Sequence, residues 1–423
     1  MSIVRKACLA LLVAVATVGS GFAQKALTWE EVRAKFEAVN PTRGAGQIGV
    51  DESRAEEITA YLRPNPQLGL SADQFTLNSS PFRELAISST LSYLHERRNK
   101  RELRRQAAQQ GTAVAESQLA DQERNLIFTL RSAFVLVLQQ KALVKLTGED
   151  LAFYDRVLDI SRERYKAGNI AQIDLDRLDL QRQQFEADVQ VAEVTLRTAK
   201  IQLLMLLNDR TPVEQFDVSG AFDFADQLAP LAELRKTALE ARPDLKAALQ
   251  SIEQAQTNHK LAVANASTDP TFSVDAAFPG ITSDNQNYTP PISSYVGFSV
   301  SIPLRVFDRN QGEKLRTQED ITRNQKLRDA SEAQVYNDVD SAYATLNSNL
   351  ILLRPYKTRY LPEAVRVRDI VTFSYERGGA SLLDFLQSEQ DYRAVELSYV
   401  SLVGSYLSAA AQLNQAVGRE VIP

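Results

Sequence analysis

Two stretches decide the fold: Tyr165-Lys166-Ala167-Gly168-Asn169-Ile170-Ala171-Gln172-Ile173-Asp174 and Tyr375-Glu376-Arg377-Gly378-Gly379-Ala380-Ser381-Leu382-Leu383-Asp384. They share Tyr, Gly and Asp at one spacing, and each matched pair lies 210 residues apart. The register persists downstream, where Glu186 meets Glu396 and Gln202-Leu203 meets Gln412-Leu413. Upstream, Asn65-Pro66 has its counterpart in Asp269-Pro270, and Asn40-Pro41 in Arg242-Pro243. The chain is therefore written twice, a pattern to be recognised before any other. The halves part in the loop Thr211 to Pro230, which collects Pro212, Gly220 and Pro230. Residues 24–220 form the first repeat and 221–423 the second.

Each half reads as helix, strand pair, very long helix, turn and returning helix. From Asn99 to Tyr165 there is no proline, and Leu130, Val137, Val144, Leu151, Leu158 and Tyr165 recur at sevens. Val339, Leu346, Leu353, Tyr360 and Val367 do the same in the second half. Sevenfold spacing keeps one apolar seam against a neighbouring helix over a long distance. A helix of roughly 65 residues would be about 100 Å long, more than most soluble domains need. Pro355 and Pro362 should bend its counterpart. The returning helices span Ile173 to Leu207 and Leu382 to Val417. The first helix of half one is expected to be broken: Trp29 to Val39 is helical, then Gly44, Gly46 and Gly49 interrupt it before Ser53 to Leu62. In half two, Leu231 to Ala266 breaks only at Arg242-Pro243, since a helix interior rejects proline.

Four short segments depart from the helical rule: Gln67 to Phe75, Leu85 to Tyr93, Thr271 to Phe278 and Tyr295 to Ile302. Phe272, Val274, Ala276 and Phe278 alternate with Ser273, Asp275 and Ala277, and Val296, Phe298, Val300 and Ile302 with Gly297, Ser299 and Ser301. A period of two marks strands with one apolar and one small or polar face. Polar loops, Thr76 to Glu84 and Pro279 to Ser294, join each pair. Taken alone, surface hairpins explain them equally well. About nine residues is also the length of a tilted strand crossing a bilayer. Open edges do not survive in lipid, so membranous strands would have to be pooled between chains, and three chains would give about twelve.

Composition excludes several function classes. With 44% hydrophobic residues and mixed charges, the chain is not disordered. One Cys and two His rule out a disulfide framework and a dedicated Cys/His metal site. With so few His, no Ser/His/Asp or Cys/His arrangement is credible, so no catalytic residue, cofactor or enzyme activity is expected. His95 and His259 read as surface or packing residues. The net charge of −5 argues against nucleic-acid binding.

Residues Met1 to Ala23 read as a secretory signal peptide: Arg5 and Lys6, an apolar run Leu9 to Val18, and small residues in Gly21-Phe22-Ala23 before Gln24. Cys8 lies inside it, so a lipid-anchored mature cysteine is not expected. No later stretch is expected to reach the roughly 20 apolar residues of a transmembrane helix.

On the duplication, the two Tyr-x-x-Gly…Asp turns, the paired strands and the run Ser301-Ile-Pro-Leu-Arg-Val-Phe-Asp-Arg-Asn-Gln-Gly312, the whole mature chain resembles the TolC-like outer-membrane efflux protein family. The last run is most similar to the family's heavy-metal (cobalt–zinc–cadmium type) branch. The resemblance implies a mainly α fold with a small β part. Duplicated long-helix hairpins would form a trimeric α-barrel tunnel in the periplasm, and four strands per chain a twelve-stranded barrel in the cell outer membrane. It implies a homotrimer fed by an inner-membrane pump through a periplasmic adaptor, with no cofactor. Tyr165, Gly168, Tyr375 and Gly378 match the helix tips that meet the adaptor. Asp384 matches a constricting acidic ring, and Asp174 and Tyr375 match partners in the gate. Gln387 stands where better-known members carry a second acid, and Ala380 where some carry a gate arginine.

Asp384 also has a bland reading, as an acid in the first turn of a helix. Converging copies would raise each other's pKa, attract cations and repel anions. The basic cluster Arg97, Arg98, Lys100 and Arg101 follows a strand directly and fits inner-leaflet headgroups of outer-membrane lipid as well as a solvated helix start. The function expected is a passive exit duct for metal cations or small toxic compounds. A type I protein secretion duct shares the fold, and a periplasmic coiled-coil scaffold is the non-channel rival.

Overall fold

A computed structural model describes residues 26–73, 86–278 and 294–422. The signal peptide, the whole loop Thr76 to Glu84, all of the loop Pro279 to Ser294 except Ser294, and the strand ends at Phe75 and Leu85 lie outside them. The elements follow the doubled plan: α1 (Trp29–Val39), α2 (Pro41–Tyr61), β1 (Gln67–Asp73), β2 (Ala86–Leu94), α3 (Lys100–Lys166) and α4 (Gln172–Leu206), then α5 (Leu231–Ala241), α6 (Pro243–Asn265), β3 (Thr271–Phe278), β4 (Tyr295–Ser301), α7 (Gln311–Pro355), α8 (Leu361–Glu376) and α9 (Leu382–Val417). Two compact units result, each drawing on both halves. One comprises residues up to 44, 123–241 and from 336 onward; the other comprises 45–122 and 242–335.

In the second unit, the strands form one antiparallel sheet in the order β1-β2-β3-β4. The register aligns Leu68 with Leu91, Leu91 with Val274 and Val274 with Phe298. That row, with Leu70, Phe272, Phe278, Val296 and Val300, makes one face apolar. Its side chains are open to solvent in the single chain, Leu70 by 73% and Phe298 by 83%. The opposite face is small and polar: Thr90 Oγ1 donates to Asp275 Oδ1 at 2.7 Å, and the Ser71 and Ser88 hydroxyls meet at 2.6 Å. The alternation read from the second half thus holds in both.

The glycines at 44, 46 and 49 do not break a helix. α2 runs unbroken through them, from Pro41 to Tyr61. Pro41 costs nothing at the first helical position, and Asn40 Oδ1 caps the helix by accepting from the Arg43 N–H at 3.0 Å. Gly46 serves close approach to α3, because a Cβ there would lie 2.7 Å from Leu119 and from Gln122.

α3 is 67 residues long and unbroken, as its sequence predicts. It does contain one window long and apolar enough, by composition, to cross a bilayer, contrary to expectation. The physical reason is packing: Leu130, Phe134, Val137 and Leu138 of α3 join Val32, Phe36, Leu203, Leu207, Phe216 and Val218 in a buried core.

The seam of the second half departs from strict sevens. Val339, Leu346 and Leu353 are fully buried, but Tyr360 and Val367 are 43% and 44% exposed. A π-helical turn, Tyr356–Tyr360, stands between Pro355 and Pro362. It absorbs one extra residue, as π-bulges do. The buried line resumes one residue later, through half-buried Leu361 and Arg368 to buried Tyr375. Half one has no such turn, so its seam runs at sevens from Leu130 to Leu158. The turn is fastened to the inter-repeat loop by Lys357 Nζ on Asp223 at 2.7 Å and Arg354 Nε on Asp226 at 2.6 Å.

Candidate functional site

Both helical hairpins turn on the same device. Gly168 at φ +75° and Gly378 at φ +79° end α3 and α8 in the left-handed conformation, which a side chain disfavours by about 1–2 kcal/mol. The Gly168 and Gly378 N–H groups donate to the carbonyls of Tyr165 and Tyr375 at 2.9 and 3.0 Å. This explains why Tyr and Gly keep their spacing in both repeats.

The turns differ after the glycine. Ser381 caps α9 in a reciprocal box: its N–H and hydroxyl reach Asp384 Oδ2 at 3.1 and 2.7 Å, and the Asp384 N–H reaches Ser381 Oγ at 3.2 Å. These donors hold the exposed Asp384 carboxyl below its ordinary range. In half one the cap position is Ala171, which offers no such bond, and Asp174 is half-buried. Gln387 is exposed and donates to Asp391 at 2.9 Å.

The tyrosines also diverge. Tyr165 is 39% exposed, whereas Tyr375 is 2% exposed. Tyr375 stacks on Phe385 at 5.0 Å, lies under the Arg164 guanidinium at 5.0 Å and meets the Ser161 hydroxyl at 3.3 Å. Arg164 also donates to the Tyr375 carbonyl at 2.6 Å. Within one chain the Tyr375 hydroxyl therefore meets Ser161 and not Asp174. Tyr154, Leu158, Leu178, Phe185 and Leu382 complete this core behind the turns.

The basic cluster is divided. Arg97 and Arg98 are exposed, as a headgroup contact requires. Lys100 is buried and bound at 2.6 Å to Asp269 and at 2.9 Å to the Ser267 carbonyl, so it is a tether inside its own unit. Arg101 lies over the Tyr61 ring at 4.3 Å.

Sequence reading missed a charged group inside the hairpin core: Asp150 and Tyr154 on α3, Asp188 on α4, Arg368 on α8, and Glu389, Tyr392, Arg393 and Glu396 on α9. One signal was available. Arg368 occupies the repeat position of Leu158, a charge where the other half has a seam residue. Among the described residues no cluster of His, Cys, Asp and Glu is arranged to hold a metal ion.

A profile of the outer membrane efflux protein family matches residues 234–419, the second repeat with its strand pair and turn. The cobalt-zinc-cadmium resistance protein CzcC of Cupriavidus metallidurans is 23% identical over 394 residues, covering 93% of this chain and 90% of that protein. Over that second repeat the chain is similar to the outer membrane efflux protein family. Its fold is that of two solved structures. CusC superposes with a TM-score of 0.76 at 17% identity, covering 92% of each chain. The outer-membrane channel OprN gives 0.74 at 14%, covering 92% of this chain and 89% of that one.

Proposed function

We propose that the protein is the passive outer-membrane duct of a tripartite efflux system and acts as a homotrimer. The carrying observation is the open four-stranded sheet, apolar on one face and polar on the other. Its edges β1 and β4 are unpaired among the described residues, and exposed edges are excluded from lipid. Three copies supply the twelve strands of a closed barrel, with the Asp275 face toward the lumen. The hairpin turns are the periplasmic end. Tyr165, Gly168 and Gly378, exposed at the tips, dock the adaptor, while Tyr375 acts from inside the tip core by holding the turn in shape. Asp174, half-buried at the start of α4, and Gln387, paired with Asp391, belong to the same aperture. Arg97 and Arg98 rest on inner-leaflet headgroups.

The cargo is a metal cation, a reading supported by the likeness to CzcC. Asp384 supplies the chemistry for it. Its cap keeps the carboxylate ionised, which opposes the mutual pKa rise of three converging acids and preserves cation attraction. The test is planar-bilayer recording on the detergent-purified protein, with oligomer mass measured on the same sample. A trimer with cation-selective openings is expected, and selectivity should fall in Asp384→Asn. A monomer that never conducts overturns the duct, and unchanged selectivity in Asp384→Asn removes that residue from the constriction.

A further inference from the structure

The core behind the turns holds more acid than its arginines can balance. Four carboxyls (Asp150, Asp188, Glu389 and Glu396) face two guanidiniums (Arg368 and Arg393), with Glu149 and Asp369 at the rim. Arg393 pairs closely with Asp188 and lies 3.7 Å from Asp150. Arg368 lies 4.0 Å over the Tyr392 ring and donates to Asp369 at 3.0 Å. Tyr392 donates to Glu396. Glu389 is 8% exposed. Its Oε1, with Asp150 Oδ2, Glu396 Oε2 and the Tyr154 hydroxyl, has no hydrogen-bond partner within the chain among the described residues.

We propose that Glu389, with Asp150 and Glu396, is a proton-operated lock between the α8–α9 and α3–α4 hairpins. Protonated, the carboxyls let the four helices pack; ionised, their surplus charge drives the hairpins apart. Surplus buried charge is costly, and breaking a balanced set costs more than never forming it. Every element packed around Glu389 contributes: Asp150 and Tyr154 from α3, Asp188 from α4, Arg368, Asp369 and Tyr375 from α8, and Tyr392, Arg393 and Glu396 from α9. Burial, with Asp150, Asp369 and Glu396 against Arg368, pushes Glu389 up to about 7. Burial and Glu396 push Asp150 up to about 6. The two repeats do not each carry such a group. Glu186, at the position of Glu396, is exposed and paired with Arg182 at 2.9 Å.

A carboxyl raised on folding binds more protons in the packed state, so packing is strongest below its ordinary value and is lost as pH rises through about 7 for Glu389. The lock's link to opening rests on the duct reading; the lock itself does not.

Amide hydrogen exchange on the full-length protein, corrected for intrinsic rates, tests it. Protection over residues 145–160 and 385–397 should fall about twentyfold between pH 6 and pH 8. In Glu389→Gln the fall should shrink to about twofold, the share left to Asp150. A wild-type change under about twofold, or a Glu389→Gln profile like wild type, overturns the lock. Should Glu389→Gln not fold, Asp150→Asn serves. Removing that negative neighbour should move the midpoint to lower pH, and an unmoved midpoint overturns the proposal. Open probability in bilayers should rise across the same interval. A flat open probability with changing protection overturns only the coupling, and changing protection without any channel overturns only the duct.

Discussion

Asp174 and Asp384 occupy one repeat position, yet only Asp384 is held by a cap, because residue 381 is Ser where residue 171 is Ala. Ser381→Ala should remove both side-chain partners of that box and cost about 1 kcal/mol at the start of α9. The Asp384 carboxyl should return toward its ordinary range, since the hydroxyl is its strongest partner. Exchange at the 381–386 amides checks the first effect. The acid end of the selectivity–pH curve checks the second, and should move to higher pH. The Tyr, Gly and Asp of the turns were legible in sequence because a left-handed glycine and a helix-start acid are local requirements. The burial of Tyr375 and exposure of Tyr165 were not, since they depend on which helices pack behind each turn.

At the scale of elements, the two halves differ by one residue. The seam steps from Val144 to Leu151 in half one and from Leu353 to Leu361 in half two, and the π-helical turn takes up the difference. One extra residue in an α-helix rotates everything beyond it by about 100°. Without the wide turn, Tyr375 would leave the core and Arg368 would leave its place among Glu389 and Tyr392. Deleting Thr358, in the middle of that turn, should return the segment to α-helix and leave α8 in register, because the step from Leu353 to Leu361 would then be seven residues, as in half one. The expected loss is small, whereas the same deletion in a regular stretch of α7 should cost several kcal/mol, because it rotates Tyr375 out of a buried site worth about 3–5 kcal/mol. Denaturant unfolding of the deletion against wild type measures it, with a deletion on an exposed turn of α7 as control. The heptads hid this step because sevenfold spacing continues in the letters through Tyr360 and Val367, whose side chains face outward.

For the whole molecule, two sets of carboxyls set opposite pH limits. Lys35 and Thr211 hold Asp209 down to about 2, and the lysines beside Asp217 and Asp269 lower those too. Their stabilisation is present above the ordinary aspartate value and is lost as pH falls through the folded one. Glu389 and Asp150 act the other way, losing theirs as pH climbs through about 7 and about 6. Thermal unfolding should therefore show greatest stability at roughly pH 5, falling on both sides. In Glu389→Gln the alkaline limb should flatten while the acid limb stays.

The duplication, the long helices, the turns and the strand alternation are written in the sequence itself, because each is a periodic or short-range pattern carried by neighbouring residues. Tertiary structure alone decided that α2 runs through three glycines, since only the approach of α3 gives Gly46 its use. It alone turned Lys100 inward to Asp269, shifted the second seam by one residue, and gathered Asp150, Arg368, Glu389 and Glu396 into one buried group. Those outcomes depend on side chains far apart in the chain sharing a volume from which water is excluded. Charge and packing compete there on terms that no single stretch of sequence contains.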